Sequence, residues 1–196
     1  MSSITAFEEM HHLEPHVRSG RARAGVIMLI LSDALSILAL VAAGGYLNAL
    51  DTLRQFRAGG HPPALLPGLL TAVVLVLSGL AYYVWERGER KNPGAGQRAI
   101  IILAVVLMVL TLAGQIWVGV TLGYEAPYHA YASLILLLTW YSAFHLLLAA
   151  IIGVLLFGRI RRGRLVEHPY IVQATGYWWY YTVIAGVILW LFATFL

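Results

Sequence analysis

The stretch RARAGVIMLILSDALSILALVAAGGYL, from Arg21 to Leu47, sets a basic flank before more than twenty apolar residues, with one carboxylic acid, Asp33, inside the run. A hydrocarbon core of about 30 Å needs roughly 20 helical residues, so this stretch reads as a membrane span. A carboxylate at the centre of such a helix costs about 2.5–3.5 kcal/mol on insertion-type scales. Asp33 must therefore face protein, a bound headgroup or water, and it is the chain's leading functional pointer.

The rest of the chain repeats the pattern. Hydrophobic residues make up 60%, charged residues only 11%, and the mean hydropathy is +0.78, whereas soluble domains carry about a quarter charged residues. Five segments, about 24–47, 65–85, 99–122, 132–157 and 170–196, are long and apolar enough to span. The expected fold is all-α: a cytoplasmic tail over 1–20, then a five-helix transmembrane domain over 21–196. The first span far exceeds a signal-peptide core of about 7–15 residues, so it is read as retained. No internal repeat or low-complexity tract stands out.

The basic residues orient the bundle. Arg18, Arg21 and Arg23 precede the first span; Arg87, Arg90, Lys91 and Arg98 lie between the second and third; Arg159, Arg161, Arg162 and Arg164 lie between the fourth and fifth. Only Arg54 and Arg57 fall on the other side, a ratio of eleven to two. The positive-inside rule then puts the N-terminus in the cytoplasm and the C-terminus outside. The net charge of +4 needs no nucleic-acid partner.

Redox and metal chemistry find few ligands. The absence of cysteine removes thiolate sites and disulfides. Transmembrane haem usually takes two facing histidines, and the spans hold one deep histidine, His145; His129 is interfacial at most, and His61 and His168 lie beside prolines in loops. The run from Glu8 to His16 gathers acidic residues and histidines, but Pro15 interrupts it and polar tails are often loosely ordered. No catalytic, cofactor-binding or metal-binding residue is assigned. Ser78, Ser133 and Ser142 lie in spans without a nucleophile elbow or paired base.

Four features allow a structural or a functional reading. His145 either hydrogen-bonds a neighbouring helix or relays protons, and Asp33 either bonds a polar group such as Ser32 or Ser36 or forms a lipid-headgroup or proton site. Tyr177, Trp178, Trp179, Tyr180 and Tyr181 start about 12 Å inside the membrane if the last helix begins near Pro169. That is too deep for an interfacial belt, so packing against other helices or a partner is expected. Gly119 and Gly123 have the spacing that lets two helix backbones approach closely, within the chain or at a subunit contact.

The order of motifs resembles subunit III of the haem–copper oxidases, the family of cytochrome c and quinol oxidases. The run from Ile30 to Leu35 is similar to the family's Ser-Glu-rich helix, with Asp33 where that family carries a buried glutamate. Gly60 to Pro63 resembles its outer Trp-Pro-Pro loop, and Trp85 to Lys91 its basic Arg-Gly-Asp-Arg turn. The best match runs from Tyr131 through Leu137, Leu138 and Thr139 to His145, which takes the place of the second histidine in Leu-Leu-Thr-Gly-Phe-His-Gly-Leu-His. Arg161 to Arg164 follows as the family's basic loop does, and Trp179, Tyr180 and Tyr181 stand where it has Trp-His-Phe.

There are departures. Ser142 replaces the first histidine, Trp140 and Ala143 replace glycines, Val118 stands for the glutamate after Gln115, Tyr180 for a histidine and Val183 for an aspartate. The resemblance is thus to a divergent, short five-helix bacterial form, and a subunit III-like protein of nitric oxide reductase systems is the nearest alternative. It implies a non-catalytic subunit without redox cofactors, seated beside a catalytic subunit I that carries haem and copper, with subunits II and IV nearby. It also implies bound phospholipid and a role in oxygen access, proton uptake and stability during aerobic electron transport. A small transporter or channel using Asp33 and His145 is the competing class, although the spans lack interior proline and paired interruptions.

Overall fold

A computed structural model describes residues 15–52, 56–57, 60–92, 97–125, 129–163, 165 and 170–196. The Glu8 to His16 ligand run, Arg54, His168 and Pro169 lie outside the described residues or in side chains not described. Five helices follow in order: α1 (Pro15–Ala49), α2 (Leu65–Lys91), α3 (Arg98–Thr121), α4 (Ala130–Arg161) and α5 (Tyr170–Phe195). All five are long and apolar enough to cross a membrane, and no strand occurs among the described residues. The chain is an all-helical, multi-pass membrane protein.

Two helices outrun their apolar cores. α1 is described from Pro15 onward and so extends on the N-terminal side of the basic Arg21 and Arg23. α2 continues through Glu86 to Lys91, because charge marks where a helix leaves the bilayer and not where it ends. The Glu86–Arg90 pair at i, i+4 supports that last turn, and Arg90 and Lys91 suit the negative end of the helix dipole.

α2, α3, α4 and α5 close a ring in which each helix packs on its sequence neighbour and α5 returns to α2. α1 stands outside it, leaning on α5 and touching α4 lightly. Only 6% of the apolar run of α1 is buried in the chain, against 22–39% for the other four. Because lipid is as apolar as leucine, close packing and polar bonds must hold such helices together. Ser78 Oγ donates to the Ala104 carbonyl at 2.8 Å, joining α2 to α3. Gln115 Nε2 donates to the Thr139 carbonyl at 3.2 Å, joining α3 to α4.

Two apolar clusters fill the ring. Toward the basic end, Tyr82 stacks on Trp179 at 4.9 Å amid Trp85, Ile101, Met108 and Leu146. Toward the other end, Tyr131, Ile135, Leu138 and Leu189 pack beneath Phe56. There the phenol of Tyr124 both accepts from the His61 N–H and donates to the His61 carbonyl, tying two loops together, and burial raises its pKa.

Gly119 and Gly123 do different jobs. Gly119 is buried against α4, where a Cβ would lie 3.2 Å from Thr139 Cγ2, so it serves a contact inside the chain. Gly123 lies beyond the end of α3 with φ +70° and open space where a Cβ would be. Its left-handed backbone turns the chain, so the pair does not form one continuous helix-packing face.

Candidate functional site

Asp33 lies ten residues past Arg23 on α1, about 15 Å along the axis at 1.5 Å per residue and hence near the centre of a 30 Å core. His145 and Tyr181 also sit near the middles of α4 and α5. The three meet. Tyr141 Oη donates to Asp33 Oδ1, Tyr181 Oη donates to Asp33 Oδ2, and His145 Nε2 lies 2.8 Å from Asp33 Oδ2. Both bond partners of the carboxylate on α4 lie on one face, because Tyr141 and His145 are one turn apart.

The remaining contact decides the protonation logic. His145 Nδ1 lies 2.8 Å from the Tyr141 carbonyl oxygen. A carbonyl only accepts, so Nδ1 carries a proton. The contact between Nε2 and Oδ2 then holds a single proton, placed either as imidazolium–carboxylate or as neutral imidazole–carboxylic acid. The pair is net neutral in both arrangements. The indole of Trp178 stacks on the imidazole at 5.7 Å and 17°.

Magnitudes show what the cluster does not do. Interhelical hydrogen bonds in membranes average about 0.6 kcal/mol and reach about 1.7, so three are worth roughly 2–5 kcal/mol. That is close to the cost of inserting the carboxylate, about 2.5–3.5 kcal/mol. As a source of stability the cluster roughly breaks even; what it supplies is a proton-holding pair fixed at mid-membrane.

A second carboxylate, Glu86 on α2, is buried toward the basic end. Arg90 Nη2 donates to its Oε1 at 2.7 Å, and Tyr180 Oη donates to its Oε2. Gly176 makes room for it, since a Cβ there would lie 3.3 Å from both carboxylate oxygens. Beside it, Tyr82 Oη bonds Thr175 Oγ1 at 2.7 Å and donates to the Val172 carbonyl at 2.9 Å.

The structure thus brings Asp33 and His145 together. Ser32 and Ser36 do not take part: Ser36 Oγ donates to the Ser32 carbonyl at 3.2 Å, and both residues are exposed. The aromatic run is divided within the chain. Trp178 and Trp179 are buried, Tyr177 is half-buried, Tyr180 reaches Glu86 and Tyr181 reaches Asp33. Reading the sequence missed Tyr141, whose spacing of four from His145 was the available signal, and Glu86, which looked like part of a turn. Both ring nitrogens of His145 are already engaged. Among the described residues, no three His, Cys, Asp or Glu side chains gather as a metal site. No protein-family model matches the chain, and no curated protein matches it.

Proposed function

We propose that this chain is a non-catalytic subunit, of the subunit III type, of a respiratory haem–copper terminal oxidase. In this reading it lies in a bacterial inner membrane with its N-terminus cytoplasmic, beside a catalytic subunit I that carries haem and copper. The observation that supports it is the 2.8 Å contact between Asp33 and His145. These are the two polar positions that the resemblance singles out, and they meet across 112 residues of sequence. The chain's own part is to hold a proton at the Nε2–Oδ2 contact, to keep α1 seated, and to present a lipid-facing edge that supports oxygen access and enzyme durability.

The test is the subunit content and spectrum of the complex solubilised gently from its native membrane. An a-, b- or o-type haem with a large copper-bearing partner is expected. A nitric oxide reductase partner would move the chain to the neighbouring class. A haem-free homo-oligomer would overturn the proposal and favour a small proton-coupled transporter, which the neutral, proton-sharing pair at mid-membrane would also suit.

A further inference from the structure

A cavity of about 30 Å³ lies among α2, α3, α4 and α5, toward the end of the ring away from the basic residues. Gln115, Thr139, Ser142 and Trp190 bring polar groups to its wall. At 1.5 Å per residue they stand roughly 8–18 Å from the near ends of their helices, within the spans.

Hydroxyls in these helices ordinarily turn back on their own backbone. Thr71, Thr111, Thr182 and Thr194 each donate to the carbonyl four residues earlier. Thr139 and Ser142 do not. They are 5% and 7% exposed, sit about one turn apart on α4, and their hydroxyls make no hydrogen bond with the described residues. A buried polar group without a partner is costly, the more so inside a membrane, so two such hydroxyls on one cavity call for a ligand that bonds them.

The other two polar groups say which ligand. Gln115 Nε2 donates to the Thr139 carbonyl, so Gln115 Oε1 is left as an acceptor. The indole edge of Trp190 lies over Gly68, where a Cβ would collide with Nε1, and an indole N–H only donates. A metal cation would be repelled by that N–H and a simple anion by Oε1, while an apolar gas would leave all four groups unmet. The ligand must both donate and accept, and must fit a very small space. Water does so: it needs only about 10–15 Å³ and two to four polar partners.

We infer that this cavity is a hydration site, holding one or two ordered waters that join Thr139 and Ser142 of α4 to Gln115 of α3 and Trp190 of α5. Among the described residues, the hydrogen bonds that tie α5 to α1 and α2 engage Val172, Gln173, Thr175, Tyr180 and Tyr181, all in its first half. The waters extend that tie to its second half and to α3 and α4. The inference does not depend on the oxidase reading and survives its failure.

The test is water-edited solid-state NMR on the full chain in lipid bilayers with nitrogen-15-labelled tryptophan, which reads how fast water polarisation reaches each indole N–H. Trp190→Phe assigns the Trp190 signal. Trp179 is the internal control, because its Nε1 is buried without a partner among the described residues and lies outside this cavity. Water should reach Trp190 early and Trp179 late. Thr139→Val combined with Ser142→Ala removes both hydroxyls at little change in volume and should bring Trp190 down to the Trp179 rate. Ser142→Ala alone should do so in part, and carries the test if the double variant fails to insert. Thr121→Val, whose hydroxyl turns back on the Trp117 carbonyl, should change nothing. Late transfer to both tryptophans in the wild type would mean a dry cavity and overturn the inference. Early transfer that persists without the hydroxyls would mean that water meets the indole from the membrane surface, and would overturn it equally.

Discussion

Asp33, half-buried, and Glu86, buried, are two carboxylates served by consecutive residues of one helix, Tyr181 and Tyr180, yet they are paired with different cations. Glu86 has Arg90, whose side chain is 51% exposed near the end of α2. Asp33 has His145, 7% exposed in the middle of α4. Arginine does not give up its proton in proteins, so the Glu86 pair is permanently charged and sits where water reaches it. Taking two full charges into a dry interior costs several kcal/mol per ion. The Asp33 pair has a way around that cost which the Glu86 pair lacks, because its one proton placed on Oδ2 instead of Nε2 leaves both members neutral. Depth in the membrane and the choice of cation therefore go together.

The largest blow to this contrast is Asp33→Lys, which sets an ammonium against an imidazole at mid-membrane. It should cost about 3 kcal/mol or more, read as a lower midpoint in denaturation with sodium dodecyl sulfate. An unchanged midpoint would mean that α1 is not seated through Asp33.

Next come the two tyrosines. Tyr181→Phe and Tyr180→Phe should each cost roughly 0.6–1.7 kcal/mol, but at different places. The first should free α1 from α5, and the second should loosen α2 from α5 while α1 stays docked. Distances between spin labels on these helices would separate the two outcomes. Displacement of α1 by both variants would merge the two clusters into one.

Asp33→Asn should cost within about 1 kcal/mol, because an amide can donate to Nε2 and still accept from a tyrosine. Nitrogen-15 spectra of His145 should show Nδ1 protonated in both wild type and variant, with Nε2 a bare acceptor in the variant. An unprotonated Nδ1 in either would undo the one-proton argument. In the oxidase reading, this variant should leave assembly and haem spectrum intact and change only durability in turnover or proton yield.

The smallest effect belongs to Ser36→Ala. Its hydroxyl bonds the Ser32 carbonyl on the exposed side of α1, so the midpoint should move by less than about 0.5 kcal/mol. A larger loss would place Ser36 in the Asp33 cluster after all.

The helices were legible in the sequence because a bilayer demands long apolar runs, and Asp33 announced itself because a carboxylate there is costly. Its partners were less visible. Ser32 and Ser36 are near in sequence, but a neighbour one residue away projects about 100° around the helix, and a serine hydroxyl readily folds back on its own backbone. Tyr141 and Tyr181 looked like apolar bulk, since in an aromatic side chain the hydroxyl is a small part of the whole. Glu86 hid among the charges of Arg87 to Lys91, which mark an exit from the bilayer and so suggested a loop. Which helix touches which was not legible, because leucine facing lipid and leucine facing leucine are chemically alike.

The distance along the chain between Asp33 and Tyr181, 148 residues, is also an interval of time. At ribosomal rates of about 5–20 residues per second, roughly 7–30 s separate the synthesis of α1 from that of its dock on α5. Tyr141 and His145 follow Asp33 by 108 and 112 residues, so for most of that delay the carboxyl has none of its partners on α4 or α5 and α1 cannot be seated through it. The helix that carries Asp33 is therefore made well before its dock, and its seating waits for α4 and α5.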